Sequence, residues 1–121
     1  MGINRRAGVV KVIRWNGRKL TVGETTLELE YPIEEAFVAG DRVVVLLACS
    51  AQAENWRQFP NLIALDRRGN KLWTAELPTT YSVDCYHMIA SRDPLVVYSL
   101  ASYECEIDVT NGRIRKRTFT K

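Results

Sequence analysis

The 121-residue chain is long enough for one domain of ordinary size, and its 46% apolar residues are enough to build a core. That apolar fraction excludes a disordered chain, and a formal charge of +3 falls short of the dense basic surface of a nucleic-acid-binding protein. The longest apolar run, at residues 43–49, is too short to cross a bilayer, and the N-terminal residues do not form a signal-peptide pattern. We therefore expect a cytoplasmic protein with no membrane segment and no nucleic-acid partner.

The first predicted element is a β-hairpin in the segment "VVKVIRWNGRKLTV", residues 9–22. Apolar residues alternate with polar ones on both sides of Asn16-Gly17, and this pair suits the two central positions of a type I′ turn. A further strand follows at "TTLELEY", where Leu27, Leu29 and Tyr31 alternate with two glutamates. This alternation predicts a half-buried strand whose outer face is acidic.

Two longer units of similar pattern fill the rest of the chain. Residues 33–78 are predicted to form a strand, a turn at Gly40-Asp41, a strand that is apolar throughout, and two more strands around the polar turn "DRRGN". Residues 79–121 repeat this order, with turns at "RDP" and "DVTNG", and residues 107–114 match residues 65–72 apart from one extra residue before the glycine. The single domain, residues 1–121, therefore divides into an N-terminal hairpin and strand (1–32), a first meander (33–78) and a second meander (79–121).

The segments "LIALDRRGNKLW" and "EIDVTNGRIRKRTF" resemble the outer half of a β-propeller blade of the PQQ type. In such a blade a strand ends in Leu-Asp, a glycine-containing turn follows, and the next strand carries an apolar residue and then Trp. The resemblance covers about residues 33–121, which is two blades, and it implies that Trp73 packs between neighbouring blades. A closed propeller needs roughly four to eight blades, and no motif of a quinone site is present, so neither a closed ring nor a cofactor is expected.

Helical signals are missing from the sequence, because no window carries apolar residues at helical spacing behind a capping box. We therefore predict an all-β fold of two four-stranded antiparallel blade-like meanders plus an N-terminal β-hairpin, packed as a sandwich-like half-propeller. An unclosed sheet edge can pair with a second copy of the chain, so a homodimer is left open.

Residues with catalytic or metal-binding chemistry are few. The three cysteines lack the spacing of a disulfide framework or a zinc site, and we expect buried free thiols at Cys49, Cys85 and Cys105. Cys85 and the single histidine, His87, point to the same face of a strand, which leaves a Cys–His nucleophilic pair as an alternative. We predict no metal, no cofactor and no catalytic residue.

The most distinctive feature is an inserted loop at residues 50–59, "SAQAENWRQF", which the second meander lacks. Long loops in small domains are often functional, and Trp and Arg are frequent at binding hot spots. We therefore predict partner-binding residues in this loop at Glu54, Trp56, Arg57 and Phe59. The alternative is that Trp56 and Phe59 fold back over the core, since aromatic side chains gain much free energy from burial.

Charged strands provide two further candidates. An acidic series could meet a basic partner by charge complementarity, and its predicted partner-binding members are Glu28, Glu30, Glu34 and Glu35, with Glu24 before them. The alternative is a solvated strand face. The basic residues of "RIRKR", at 113–117, are interpreted as protecting an edge strand against aggregation rather than as phosphate contacts.

No motif in the chain names a reaction or a ligand, and we expect a non-enzymatic protein–protein interaction module. With its "ID-x-x-x-G…FTK" tail the chain resembles small uncharacterised bacterial proteins. Some compact β proteins of similar size serve as immunity partners of toxins. The resemblance implies an immunity or inhibitor protein that binds and neutralises a bacterial toxin domain. The alternative is a small enzyme or ligand-binding domain that uses Cys85, His87 or the turn residues Asp66 and Asp108, although aspartate in such turns commonly bonds its own backbone.

Overall fold

The computed structural model describes residues 12–49 and 57–120 of the chain. Within these residues the fold is all-β, as predicted, with eleven strands and no α-helix. The strands are β1 (Ile13–Asn16), β2 (Lys19–Val22), β3 (Thr25–Glu28), β4 (Ile33–Ala39), β5 (Arg42–Leu47), β6 (Leu62–Leu65), β7 (Lys71–Thr74), β8 (Tyr86–Arg92), β9 (Leu95–Ser99), β10 (Tyr103–Ile107) and β11 (Ile114–Phe119). The described residues contain no helix that could span a membrane.

The strands form three antiparallel sheets, and in each sheet strands that follow one another in sequence are neighbours in space. Sheet 1 contains β1–β3, sheet 2 contains β4–β7 and sheet 3 contains β8–β11. Sheets 2 and 3 are the two predicted four-stranded meanders. Their last hairpins share an irregularity, because the register shifts between Ala64 and Leu65 in sheet 2 and between Glu106 and Ile107 in sheet 3. These positions correspond in the sequence repeat, so the two sheets are built on one plan.

Sheet 2 is the middle layer of the stack, and both of its faces are buried. On β5, Val43 and Val45 pack in a core shared with sheet 1, whereas Val44 and Leu46 pack in a core shared with sheet 3. Successive residues of a strand point to opposite faces, so a strand between two cores must be apolar on both. Each of these fully buried side chains contributes about 1.5–3 kcal/mol from its removal from water.

Trp73 on β7 lies in the junction between sheets 2 and 3, the place that the blade resemblance implies for it. The side chain is buried, and Nε1 donates a hydrogen bond to the carbonyl oxygen of Val109 at 2.8 Å. Its ring covers Gly112 so closely that a Cβ at this glycine would lie 2.7 Å from Trp73 Cε3. Any other residue at position 112, in the β10–β11 turn, would therefore clash with the Trp73 ring.

The two outer faces of the stack carry polar residues. In sheet 1, Thr21 and Thr26 face away from the core, with their hydroxyl oxygens 3.3 Å apart. In sheet 3, Glu104 and Glu106 stand where the corresponding residues of sheet 2, at 62 and 64, are apolar and buried. Polar outer faces on terminal units end a stack of repeats and keep it soluble. These residues do not offer the apolar face on which a fourth sheet would pack.

The N-terminal hairpin lies where it was predicted but has a different turn. Asn16 is the last residue of β1, so Gly17 and Arg18 occupy the central positions, and of the two only Gly17 has a positive φ, 61°. This matches a type II′ turn, so the predicted type I′ turn centred on Asn16-Gly17 is wrong by one residue. In the observed turn the carbonyl oxygens of Gly17 and Arg18 accept hydrogen bonds from Ile33 and Leu29, at 2.8 Å each, which ties the hairpin to the start of sheet 2.

The strands run between two ends of the stack. The turn end holds the tight connections at residues 23–24, 40–41, 66–70, 93–94 and 108–113. The loop end holds the described parts of the longer connections, at residues 48–49, 57–61, 75–85 and 100–102. Backbone hydrogen bonds join these longer connections, from Asp84 N–H to Arg57 O at 2.8 Å and from Leu100 N–H to Cys85 O at 3.0 Å. At the loop end, residues far apart in sequence therefore come together.

Candidate functional site

The end of the inserted loop forms a short backbone ladder with the connection between β7 and β8. Gln58 and Asp84 form a parallel bridge, with Asp84 N–H donating to Arg57 O at 2.8 Å and Phe59 N–H donating to Asp84 O at 3.0 Å. The ladder fixes residues 57–59 against residues 79–85. The two connections are therefore one surface and not two independent loops.

Side chains of the inserted loop hold the neighbouring connection in place. Arg57 Nη2 donates to the carbonyl oxygen of Tyr81 at 2.7 Å, and Gln58 Nε2 donates to that of Ser82 at 2.7 Å. Gln58 Nε2 also lies 3.2 Å from Thr79 Oγ1. The guanidinium of Arg57, predicted to meet a partner, thus bonds to the chain's own backbone and orders residues 79–82.

Asp84 connects this surface to the turn between β9 and β10. The residue is fully buried, and its carboxylate accepts a hydrogen bond from Thr79 Oγ1 at 2.7 Å and one from Ala101 N–H at 3.2 Å. A buried carboxylate needs such donors to replace the water it loses. Asp84 therefore holds three segments of the loop end together and is not presented to solvent.

Four large apolar side chains project from these fixed segments into solvent, and we refer to them as the Tyr81 surface. Tyr81 is 84% exposed, and the other members, at 49–57%, are Val83, Leu100 and Phe119. Phe119 joins the group because Thr120 N–H donates to Ser102 O at 2.8 Å, in the turn that carries Leu100. Exposed apolar side chains at one end of a small protein are typical of an interaction surface.

Of the predicted partner-binding residues in the inserted loop, one is buried in the core and one is exposed. Phe59 is 5% exposed and packs edge-to-face on Tyr31, with ring centroids 4.9 Å apart, so of the two alternatives the ring adopts the one that covers the core. Arg57 is exposed and bonds to the Tyr81 backbone. Glu54 and Trp56 lie outside the described residues, and their predicted role stays a prediction.

The predicted acidic residues do not gather into one patch. Glu28, on the outer face of sheet 1, pairs with Arg18 at 2.5 Å, and Glu35, on β4, pairs with Arg92 at 2.8 Å. Glu30 and Glu34 are exposed. Internal partners reduce the charge that Glu28 and Glu35 offer to another protein, so the four residues do not act as a single acidic surface.

Cys49 and Cys85 form a disulfide bond, with Cα atoms 6.0 Å apart, so the prediction of free thiols at these two positions is wrong. The two cysteines are 36 residues apart, and only the stacking of sheets 2 and 3 brings them together. Cys105 is the free and buried thiol that was predicted, and burial raises its pKa. Because the sulfur of Cys85 is bonded and His87 is exposed, these residues do not form a nucleophile–base pair.

The turn aspartates bond to their own turns, as the sequence predicts. Asp66 Oδ1 accepts from the N–H groups of Asn70 and Arg68, at 2.9 and 2.8 Å, and these bonds, that from Asn70 foremost, lower the pKa of Asp66. Asp108 Oδ1 accepts from the hydroxyl and the N–H of Thr110, at 2.6 and 2.9 Å, which lowers the pKa of Asp108. Both carboxylates are stabilised as anions and shape the turns. Within the described residues no group of three or more His, Cys, Asp or Glu side chains is placed to hold a metal.

A cleft of about 600 Å³ opens at the turn end between sheets 2 and 3. Its arginines are already engaged, since Arg42 Nη1 donates to Val109 O at 3.1 Å and Arg92 pairs with Glu35. The Arg92 guanidinium also lies 4.9 Å from the centroid of the Phe37 ring, which forms part of the cleft wall. The volume suits a small molecule, and the cleft is the place where a ligand-binding alternative would operate.

Tyr81, Val83 and Leu100 were not predicted from the sequence. They occur in the polar stretch "TTYSV" and in the short β9–β10 turn, where nothing in the local pattern separates an exposed residue from a packed one. A single exposed aromatic residue in a polar connection is the one signal that was available. Exposure at this point depends on the contacts that Arg57, Gln58 and Asp84 make across the loop end.

Fold and surface together define an all-β protein of three stacked antiparallel sheets with exposed apolar side chains at its loop end. Residues 10–119 match the model of a family described as a domain of unknown function (DUF7957), and the chain belongs to that family. The match includes all eleven strands. No curated protein and no solved structure matches the chain.

Proposed function

We propose that this chain is a non-enzymatic interaction module that binds a partner protein through the Tyr81 surface. The observation that carries the proposal is the 84% exposure of Tyr81 on a segment whose backbone is fixed by Arg57 and Gln58. Tyrosine presents a large apolar area with only two side-chain torsions to immobilise, and it is enriched at binding hot spots. Binding does not incur the free-energy cost of ordering residues 79–82, because hydrogen bonds already hold this segment in place.

The composition of the surface supports this function. A stable interface covers roughly 800 Å² on each partner, with a small apolar centre surrounded by polar residues. Val83 and Leu100 extend the centre beside Tyr81, and the exposed Arg57 and the neighbouring Ser82 provide polar groups around it. The connections at the loop end thus supply both parts of an interface.

We further propose that the partner is a bacterial toxin domain that the module neutralises. This narrower proposal rests on the likeness in size and composition to small immunity proteins, which is an analogy and not a property of the surface. A toxin gene beside the gene for this chain would support it. Rescue of growth when both genes are expressed together, with loss of rescue on Tyr81→Ala, would support it directly.

Affinity purification of the full chain from its native host, with quantitative mass spectrometry, tests the general proposal. We expect one protein to co-purify near equal stoichiometry with the wild type and to be lost with Tyr81→Ala combined with Leu100→Ala. Leu72→Ala is the matched control, because Leu72 is a similarly exposed apolar residue, at 44%, on β7 and outside this surface. Equal recovery with the double variant and the control would contradict the proposal.

The second candidate function is binding of a small molecule in the cleft between sheets 2 and 3, and its volume of about 600 Å³ favours it. A ligand that binds only the folded chain raises the unfolding temperature, and the rise grows with the logarithm of the free ligand concentration above its Kd. A thermal-shift screen of metabolites separates the candidates, since the interaction module gains no stability from any of them. A hit that Arg92→Ala abolishes would support the cleft.

The Cys49–Cys85 bond affects where the module is expected to work. Disulfides persist in oxidising compartments and are rare in the cytosol, whereas a cytoplasmic protein was expected from the sequence. The two indications disagree. Alkylation of thiols at the moment of cell lysis resolves them, because a cytoplasmic pool would carry three modified cysteines per chain and an oxidised pool would carry one.

A further inference from the structure

An apolar groove of about 460 Å³ separates sheet 1 from the outer strands of sheet 2 and lies apart from the Tyr81 surface. Its floor is formed by half-buried or buried side chains, namely Leu29, Tyr31, Phe59, Ile63 and Leu65. Glu28 and Glu30 border one side, and Lys71 and Thr74 border the other. We refer to it as the β3 groove.

The β3 groove is the open counterpart of a junction that is closed elsewhere in the chain. Between sheets 2 and 3, Glu76 N–H donates to Gly112 O at 3.0 Å, and Glu76 Oε1 accepts from Ile114 N–H at 2.8 Å. In the repeat, Gly69 corresponds to Gly112 and Lys71 corresponds to Ile114. Glu30 is the counterpart of Glu76, because it stands three residues after Leu27 just as Glu76 stands three residues after Trp73. Among the described residues no such bond joins Glu30 to Gly69 or Lys71.

The difference follows from one side chain. Trp73 fills the closed junction and is anchored to Val109, whereas the corresponding residue on β3 is Leu27, which lies against Gly69. Leucine is smaller and has no donor, so it neither fills the space nor bonds to the facing turn. The groove is therefore a volume that the repeat fills in one junction and leaves open in the other.

Among the strands that the structure describes, the one beside the groove has no neighbour on its outer edge. Leu29 N–H donates to Arg18 O, toward β2, and because the direction of backbone groups alternates along a strand, Thr26 and Glu28 turn theirs away from β2. β3 is the last strand of sheet 1, so these groups are available to a further strand. A peptide that adds to such an edge gains main-chain hydrogen bonds, and its alternate side chains enter the adjoining groove.

The charges along this edge indicate the side chains of the added strand. Glu28 and Glu30 border the groove and are exposed, and Glu24 is exposed in the turn before β3. The Arg18–Glu28 pair is about half exposed, so Arg18 reduces the charge of Glu28 without removing it. Lys71 is the one cation bordering the groove among the described lining residues, and it lies on the far side. Residues beside the glutamates are therefore favoured as Lys or Arg, and residues facing the floor as apolar.

We propose that the β3 groove binds an extended segment of a partner protein in which apolar and basic residues alternate, added as a fourth strand to β3. This segment completes sheet 1 and fills the volume that Trp73 fills in the other junction. The site is independent of the Tyr81 surface, so either can fail without the other.

Titration of isotope-labelled full-length protein with short capped peptides, followed by NMR, tests the proposal. A peptide of alternating Lys and Val should shift the amides of Thr26, Glu28 and Lys71, whereas matched peptides with Glu for Lys, or Ser for Val, should not bind. Glu30→Lys should weaken binding about fivefold, the effect of losing one partly exposed ion pair. Met88→Ala is the control, because Met88 is an exposed residue on β8 outside both surfaces, and it should leave the affinity unchanged.

Thr26→Pro removes the outward N–H without disturbing the bonds to β2, a substitution that edge strands accept, and it should abolish the shifts. Equal binding of the Glu and Lys peptides, shifts confined to β7 or β11, or absence of binding at millimolar peptide would each overturn the proposal. Self-association of the chain, detected as a dimer by sedimentation and abolished by Thr26→Pro, would overturn it as well.

Discussion

Asn61 and Tyr86 exchange hydrogen bonds across the junction between sheets 2 and 3. Asn61 Nδ2 donates to Tyr86 O at 2.7 Å, Tyr86 N–H donates to Asn61 Oδ1 at 2.8 Å, and Asn61 Nδ2 also donates to Leu47 O at 2.8 Å. Both residues are fully buried. The side-chain amide of Asn61 therefore satisfies backbone groups of both sheets that would otherwise be buried without a partner. The same tyrosine donates its hydroxyl hydrogen to Glu76 O at 2.6 Å, and burial raises the pKa of its phenol.

Asn61→Ala is expected to lower the unfolding free energy by about 3–5 kcal/mol, because it leaves three buried backbone groups without partners and each costs about 1–3 kcal/mol. Chemical denaturation followed by fluorescence measures the loss. Asn111→Ala is the matched control, since Asn111 accepts one exposed backbone hydrogen bond, from Arg113, and should cost less than about 1 kcal/mol. Equal losses in the two variants would show that the buried amide does not join the sheets.

Gly112→Ala is expected to destabilise the chain more than Gly40→Ala. Both glycines have positive φ, 78° and 65°, so alanine is strained by about 1–2 kcal/mol at either position. Only at Gly112 does the new Cβ meet a side chain, Trp73, at 2.7 Å, whereas at Gly40 it meets nothing within 4 Å. The clash should add about 1–3 kcal/mol. Thermal and chemical unfolding of the two variants measure this difference in unfolding free energy. Equal destabilisation would show that the Trp73 ring does not lie against Gly112.

Stability should fall in acid because of Asp66 and Asp108. The pKa of each is lower in the folded chain than the ordinary value of 3.8, so the unfolded chain takes up protons first as the pH decreases. The stabilisation is present above about pH 4 and is lost as the pH falls through the folded-state pKa. In Asp66→Asn combined with Asp108→Asn the unfolding free energy should decline less steeply below this pH, and an unchanged slope would contradict the turn bonds.

The disulfide predicts a definite thiol count. Purified protein that is denatured without reductant should titrate with one thiol per chain, Cys105, and with three after reduction. Reduction should lower the unfolding free energy by about 2–4 kcal/mol, because the bond closes a segment of intermediate length, with 36 residues separating Cys49 and Cys85. Three thiols before reduction would contradict the pairing.

The features that sequence predicted correctly depend on neighbours along the chain. Alternation in β3, the apolar run of β5 and the Asp-to-Gly turns are local signals, because a strand's two faces and a turn's hydrogen bonds are set by residues a few positions apart. The place of Trp73 was implied by the resemblance to a propeller blade and not by the local pattern.

The features that sequence did not predict depend on how the sheets stack. Cys49 meets Cys85, Phe59 meets Tyr31, and Tyr81 is left exposed only after three connections have been brought to one end of the molecule. No local pattern carries that information. The same reason explains the one-residue error at Asn16-Gly17, where contacts with the start of sheet 2 favour the observed turn.

Photo-crosslinking in living cells of the native host tests the interaction surface most directly. A photoreactive phenylalanine analogue is placed at position 81, at the loop end, or at Asp41, whose side chain is 77% exposed at the turn end. We predict one discrete product from position 81, identified by mass spectrometry, that disappears when Leu100→Ala and Val83→Ala are added, and none from position 41. No product at position 81, or the same product from both ends, would contradict the assignment of the Tyr81 surface as the binding site.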